Sequence, residues 1–121
     1  FRQRGIVMKK TKMLKKNYEF KKVLTHGKCF SGKYLIVFVE KNKCFGSNFL
    51  GLAISSKVAK AVGRNRLKRL IRESYSIEES KICEGYSIVF LWNKKQSPKC
   101  VSFLDICQDL KKIFLKAKLY K

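Results

Sequence analysis

The stretch 57–73 constrains the fold of this chain more than any other part of the sequence, because apolar and basic residues follow one another there with a helical period. Wound as an α-helix over 61–77, it gathers small and apolar side chains on one side: Gly63, Leu67, Leu70, Ile71, Ser74 and Tyr75. The other side carries Asn65, Lys68, Arg69 and Arg72, while Arg64 and Arg66 flank the start of the helix. The pattern predicts a helix with one face in a core and a cationic opposite face.

Arginine is concentrated in this one stretch. The chain has 23 lysines but only 6 arginines, and four of the arginines lie between positions 64 and 72, where no acidic residue occurs. The planar guanidinium group makes two-pronged contacts to phosphate and stacks on bases, which a lysine ammonium cannot do. A solvated helix face is the simpler interpretation of most charge runs, but this bias favours a nucleic-acid-binding surface.

The net charge of +21 on 121 residues points to the same kind of partner. With 45% hydrophobic residues the chain can bury the core of one domain, so it is not a disordered basic tail. A polyanion would relieve the repulsion between so many positive charges. No apolar run approaches the length of a membrane span, and no signal-peptide pattern is present, so we expect a cytoplasmic protein that does not bind membranes.

The order of predicted elements is α-β-β-α-β-α, which indicates an α+β (α/β-like) fold in one small domain of residues 17–121. A helix near 17–26 has Asn17 as its N-cap and Gly27 as a left-handed C-cap. The later elements are a long strand at 29–40, a strand at 49–55, the basic helix, a polar connector at 76–84, a strand at 86–92 and a helix at 102–119. Residues 1–16 are predicted to form a basic flexible arm, and Met8 has the context of a translation start, which would make 1–7 upstream sequence.

Two features of the strands and helices bear on function. The second strand has a face of mostly small residues, Phe49, Gly51, Ala53 and Ser55, which leaves room for a groove. The basic helix between the strands at 49–55 and 86–92 makes a βαβ unit if those strands are parallel, and the usual hand of such a crossover is right.

The side chains offer no catalytic constellation. No Ser-His-Asp or Cys-His arrangement and no phosphate-binding glycine loop occurs. Five cysteines without a C-x-x-C pair, and the single His26, cannot build a zinc finger, so we expect reduced thiols and no bound metal. We interpret Asp105 and Asp109, four residues apart on the last helix, as solvated surface. If the chain belongs to an enzyme, another component supplies the chemistry.

Residues 61–73 resemble the arginine-asparagine-arginine signature of the bacterial ribonuclease P protein subunit. The segment 14–27 is similar to that family's N-terminal helix, and 50–55 to the strand that leads to the signature. The resemblance implies an accessory subunit of an endoribonuclease, in which a large catalytic RNA uses bound Mg²⁺ to remove the 5′ leader from precursor tRNA. It implies one protein monomer per RNA, no cofactor held by the protein, and a left-handed βαβ crossover against the general rule.

The resemblance also implies two binding surfaces. The surface for the catalytic RNA comprises Lys57, Arg64, Asn65, Arg66, Lys68, Arg69 and Arg72. The second surface is a cleft for the single-stranded leader, formed by Phe20, Leu24, Phe38 and Ala53. From the residues alone, core packing explains Phe20 and Phe38, whereas the resemblance favours exposed rings that stack on bases. The chain departs from the family pattern at Leu24, where an aromatic is common, and at Ser56 and Ala59, which replace a lysine and a glycine.

Three other functions remain to be weighed. A ribosomal or other structural RNA-binding protein would use the same basic helix without an aromatic cleft. A DNA-binding module would need a helix-turn-helix pair, but here a strand follows the basic helix. An autonomous nuclease would need clustered carboxylates or paired histidines, which the sequence does not indicate.

Overall fold

The structure is a computed structural model that describes residues 11–42, 47–99 and 101–121. Within these ranges the chain forms an α+β fold of one five-stranded sheet and three α-helices, as predicted. The strands are β1 (Thr11–Met13), β2 (Lys28–Ser31), β3 (Leu35–Lys41), β4 (Asn48–Ala53) and β5 (Tyr86–Trp92). The helices are α1 (Asn17–His26), α2 (Ala61–Glu78) and α3 (Phe103–Lys116), and a 3-10 turn at Glu79–Lys81 extends α2.

The strands are arranged in the order β1-β4-β5-β3-β2. β4 pairs in parallel with both β1 and β5, whereas β3 runs antiparallel to both β5 and β2. Because β4 and β5 are parallel neighbours joined through α2, the predicted βαβ unit is present. The left hand of its crossover stays a prediction.

Each face of the sheet is covered by different helices. Along β5, side chains alternate between the two faces: Ile88, Phe90 and Trp92 belong to the main core, whereas Val89 and Leu91 belong to a second cluster. The main core also contains buried residues of α2 and α3, among them Leu67, Ile71, Ile106, Leu110 and Phe114. The second cluster contains Val23 of α1. The sheet therefore separates α1 from α2 and α3.

The segment 29–40, predicted as one strand, is instead the antiparallel hairpin β2–β3. The carboxylate of Asp109 accepts backbone N–H groups of Lys33 at 2.7 Å, Tyr34 at 3.0 Å and Leu35 at 2.8 Å, and so holds the turn. Gly32 leaves room for that carboxylate, which a Cβ would meet. Asp109 is only 4% exposed, so its interpretation as solvated surface was wrong.

The hairpin also changes which rings share a face. Phe30 opposes Val37 across the two strands, and both Phe30 and Tyr34 pack against the main core. Phe38 lies in the cluster under α1. A single strand over 29–40 would place all three rings on the same face, because their positions share one parity.

The N-terminal arm was predicted too long. Thr11–Met13 pairs with β4, with Met13 opposite Leu50, and Leu14 is buried under α1. A three-residue strand is too short to show a period in the sequence. The basic composition of the segment therefore remained the only signal, and it indicated a flexible arm. Residues 1–10 of the predicted arm lie outside the described residues.

The two ends of α1 and the C-terminal end of α2 differ from the sequence expectation. Lys16, rather than Asn17, is the N-cap of α1, and its backbone N–H donates to Glu19 at 3.0 Å, which lowers the pKa of that carboxyl. Gly27 is extended (φ −77°) rather than left-handed; glycine is needed because a Cβ would lie 2.5 Å from the carbonyl oxygen of Val23. α2 continues through the first part of the predicted connector, as far as Glu78. This residue is buried, and its carboxylate accepts a hydrogen bond from the Tyr120 hydroxyl at 2.8 Å.

Candidate nucleic-acid interface

The basic helix has the two faces that its sequence predicts. Leu67, Ile71 and Tyr75 of α2 are fully buried against the sheet. Among the polar residues, Asn65, Arg66 and Arg69 are exposed and Arg64, Lys68 and Arg72 are half-buried, as expected for long side chains whose stems lie along the protein. Lys57 is exposed in the loop before the helix. The structure therefore leaves the predicted cations at the surface, around the exposed part of α2 and in the loop before it.

Two of these arginines also hold the helix in place. Arg64 donates from Nη1 to the carbonyl oxygen of Ala59 at 2.9 Å, which ties α2 to the loop before it. Arg66 donates from Nη2 to the carbonyl oxygen of Val101 at 2.7 Å, which ties α2 to the residues before α3. A guanidinium group has five N–H donors, so each arginine retains others for a ligand. No pattern in the sequence predicts either of these hydrogen bonds.

An ion pair modifies the charge of the helix face. The Nε of Arg69 lies 3.9 Å from a carboxylate oxygen of Glu73, one helical turn later, and the arginine side chain is 54% exposed. An exposed pair of this kind contributes little to stability and exchanges readily for another anion. The i,i+4 spacing could have revealed it, but Glu73 lies one residue beyond the acid-free run 64–72.

The four predicted cleft residues come together on the opposite face of the sheet. Phe20, Leu24, Phe38 and Ala53 are all partly exposed and pack against one small cluster of buried residues under α1. Phe49 and Leu91 join the same surface, which we call the α1 groove. Both could have been found from strand parity, since Phe49 shares a face with Ala53 and Leu91 with Val89.

The ring of Phe20 packs closely against Gly51 of β4 in the α1 groove. A Cβ on Gly51 would lie 2.6 Å from the Cε1 atom of Phe20 and 3.0 Å from a methyl carbon of Leu14. The space that the small residues of β4 leave on the sheet is therefore filled here by an aromatic side chain. The ring is anchored by this packing, yet it remains partly exposed.

The structure gives two findings on other kinds of site. Over the three described ranges, no three His, Cys, Asp or Glu side chains come together as metal ligands would. None of the helices in those ranges is long and apolar enough to cross a membrane.

Comparison with known proteins identifies the family. The family model described as Ribonuclease P matches residues 8–118. The ribonuclease P protein component of Clostridioides difficile is 44% identical over 105 residues, covering 86% of this chain and 90% of that protein. The solved RNase P protein of Staphylococcus aureus superposes with a TM-score of 0.78 at 26% identity, covering 90% and 97% of the two chains. That of Thermotoga maritima gives 0.78 at 28% identity, covering 87% and 96%.

The α+β fold and the cationic helix define an RNA-binding protein of the ribonucleoprotein class. The chain belongs to the ribonuclease P protein family. Membership implies a role in tRNA processing, as part of an endoribonuclease holoenzyme that contains an RNA partner.

Proposed function

We propose that this chain binds the catalytic RNA of ribonuclease P through α2, binds the single-stranded 5′ leader of precursor tRNA through the α1 groove, and so assists removal of the leader. The observation that carries the proposal is the placement of a cationic helix and an aromatic groove on opposite faces of one sheet. One protein monomer serves each RNA, in the cytoplasm. The separation of the two surfaces by the sheet allows both RNAs to be held at once.

Charge and geometry support the assignment of α2 to the catalytic RNA. The side chains that would meet phosphates or bases are Lys57, Arg64, Asn65, Arg66, Lys68, Arg69 and Arg72, all exposed or half-buried. Guanidinium groups on a helix that is anchored by its apolar face are held in place before the RNA arrives. Binding by such groups releases counterions, so affinity falls steeply as salt rises.

The α1 groove has the features of a site for single-stranded RNA. Partly exposed aromatic rings stack on bases with little sequence preference, because every base has a π-face. Phe20 and Phe38 supply such rings, and Phe49 adds one that the family resemblance had not indicated. Leu24 offers an apolar contact but no ring at its end of the groove.

Catalysis is assigned to the RNA. The protein residues bind and position the two RNAs, and Mg²⁺ ions bound by the catalytic RNA supply the Lewis-acid chemistry of phosphodiester hydrolysis. The described acidic residues support this division of labour, since Asp109 and Glu19 are engaged in holding the backbone of the fold.

The test is processing of precursor tRNA by the catalytic RNA at low Mg²⁺, with and without the protein, using leaders from one to several nucleotides. We expect the protein to increase cleavage only when the leader is long enough to reach the α1 groove. Phe20→Ala should weaken binding of the long-leader substrate by about 1–3 kcal/mol and leave the short-leader substrate unchanged. Leu104→Ala is the control, because Leu104 is a large apolar residue of α3 that is 68% exposed and lies outside the groove cluster.

An effect that is equal for all leader lengths would contradict the leader-binding part of the proposal. It would favour the structural RNA-binding alternative, in which α2 binds RNA and the groove is only core packing. Lower stability of Phe20→Ala without a change in substrate affinity would lead to the same conclusion for Phe20.

A further inference from the structure

A cavity lies on the α2 side of the sheet, across from the α1 groove. It has a volume of about 320 Å³, is open to solvent on one side, and lies between the loop before α2 and the loop that follows β5. Its apolar wall consists of the half-buried Val58 and the small part of Trp92 that is exposed, 4% of that residue, and three lysines line it, Lys57, Lys94 and Lys95. We call it the Trp92 cavity.

The loop after β5 is folded in a way that maintains the cavity. The indole Nε1 of Trp92 donates to the carbonyl oxygen of Gln96 at 2.8 Å, which fastens the loop to the wall of the cavity. Within the loop, the backbone N–H of Gln96 donates to the carbonyl oxygen of Asn93 at 3.0 Å, and that of Lys95 donates to the Asn93 side chain at 3.1 Å. The backbone that carries Lys94 and Lys95 is therefore ordered by local bonds.

The lining has the chemistry of a nucleotide site. An apolar wall suits a base, and lysines at the same opening suit the phosphates on either side of it. None of the residues that line the cavity is acidic, so nothing there repels a phosphate. The cavity also differs from the α1 groove in position, because Trp92 and Val58 pack with the main core and the groove residues with the other cluster.

We propose that the Trp92 cavity receives one unpaired nucleotide of the catalytic RNA. The base enters against Trp92 and Val58, and Lys57, Lys94 and Lys95 contact its flanking phosphates. This inference rests on the proposed function, since it assumes that α2 binds that RNA. The catalytic RNA is chosen over the leader because Lys57 belongs both to the cavity and to the α2 surface, whereas the α1 groove lies across the sheet.

Two variants distinguish entry of a nucleotide into the cavity from electrostatic attraction between the lysines and the RNA. Ser97→Trp places a bulky side chain at a residue that lines the cavity and is exposed, without a change in charge. The double variant Lys94→Gln/Lys95→Gln removes two charges and keeps the volume. Their matched controls lie on the exposed side of α3: Gln108→Trp for added bulk, and Lys111→Gln/Lys112→Gln for removed charge.

The measurements are affinity for the catalytic RNA over a range of salt concentrations, and chemical probing of its unpaired nucleotides with each protein bound. We expect Ser97→Trp to weaken binding at least about fivefold and to expose one nucleotide that the unaltered protein protects. The double lysine variant should expose the same nucleotide and lower the salt slope by about 0.7 to 0.9 for each phosphate that is no longer neutralised. Neither control should do so.

The inference is overturned if Ser97→Trp keeps the affinity and the protection, even if the lysine variant binds less tightly. In that case the lysines attract the RNA but no nucleotide enters the cavity. Loss of protection in the leader rather than in the catalytic RNA would also overturn it. Failure of the proposed function is a separate result, because the unaltered protein would then not bind the catalytic RNA at all.

Discussion

The Nη2 atom of Arg66 lies 2.7 Å from the carbonyl oxygen of Val101, so an arginine of the cationic helix joins α2 to the residues that lead into α3. Val101 is buried, with 2% of its surface exposed. One guanidinium group therefore stabilises the contact between two helices and still presents other donors to an RNA. Substitutions of different arginines on this surface should therefore have different effects on the stability of the protein.

Arg66→Ala should lower the free energy of unfolding by about 1–3 kcal/mol, because it leaves the Val101 carbonyl without its donor. Arg69→Ala should change stability by less than about 0.5 kcal/mol, since Arg69 is an exposed residue in a weak ion pair. Both should weaken RNA binding, and Arg69→Ala should lower the salt slope by about 0.7 to 0.9. Urea unfolding and RNA titrations measure the two effects. Equal stability of the two variants would contradict the structural role of Arg66.

Asp109→Ala should destabilise the protein by about 3 kcal/mol or more, because it leaves three buried or half-buried N–H groups at the β2–β3 turn without an acceptor. Gln108→Ala, at the neighbouring exposed position, should stay within about 0.5 kcal/mol of the unaltered protein. Urea unfolding gives the difference, and amide hydrogen exchange at residues 33–35 locates it. Unchanged protection of these amides would show that the carboxylate does not hold the turn.

Gly51→Ala should lower the free energy of unfolding by about 1–3 kcal/mol, because the added methyl would overlap the Phe20 ring. The ring must move off the sheet, so binding of a long leader should weaken while binding of the catalytic RNA is kept. Gly51→Ala combined with Phe20→Leu removes the ring and tests the cause: the double variant should recover part of the stability. If the double variant is less stable by the sum of the two changes, the Phe20 ring is not what limits position 51.

Leu24→Phe should increase affinity for a long-leader substrate by about 1 kcal/mol, roughly fivefold, because it adds a stacking ring to the α1 groove. Affinity for a one-nucleotide leader should not change, which provides the internal control. Leu24→Met has a similar volume without a ring and should leave both affinities unchanged. A gain with methionine equal to that with phenylalanine would attribute the effect to volume rather than to stacking.

The sequence was sufficient wherever an element is determined by its own periodicity. The helix predicted at 61–77 is Ala61–Glu78, and the strand predicted at 86–92 is Tyr86–Trp92. The capping box of Ser102 and Asp105 at the start of α3 is a local feature of the same kind, because its two partners are three residues apart. Local patterns decided the type of these elements, and packing changed their limits by at most a few residues.

Features that depend on contacts between residues distant in the chain could not be predicted from the sequence. The turn that divides 29–40 into two strands depends on Asp109, which is 76 residues away from Lys33. The strand Thr11–Met13 exists because β4 has an edge to which it can pair. For the same reason the hydrogen bonds of Arg64 and Arg66 could not be foreseen, whereas the position of both at the start of the basic helix could.

The sheet that separates the α1 groove from α2 has one further consequence. Neighbouring strands in it are joined by backbone pairing, with seven residue pairs in register between β3 and β5, and such pairing makes the sheet a stiff connection between its two faces. In the proposed complex the leader and the catalytic RNA are therefore held at a spacing that folding itself determines. The protein then sets the distance between the leader nucleotides and the catalytic RNA that cleaves next to them.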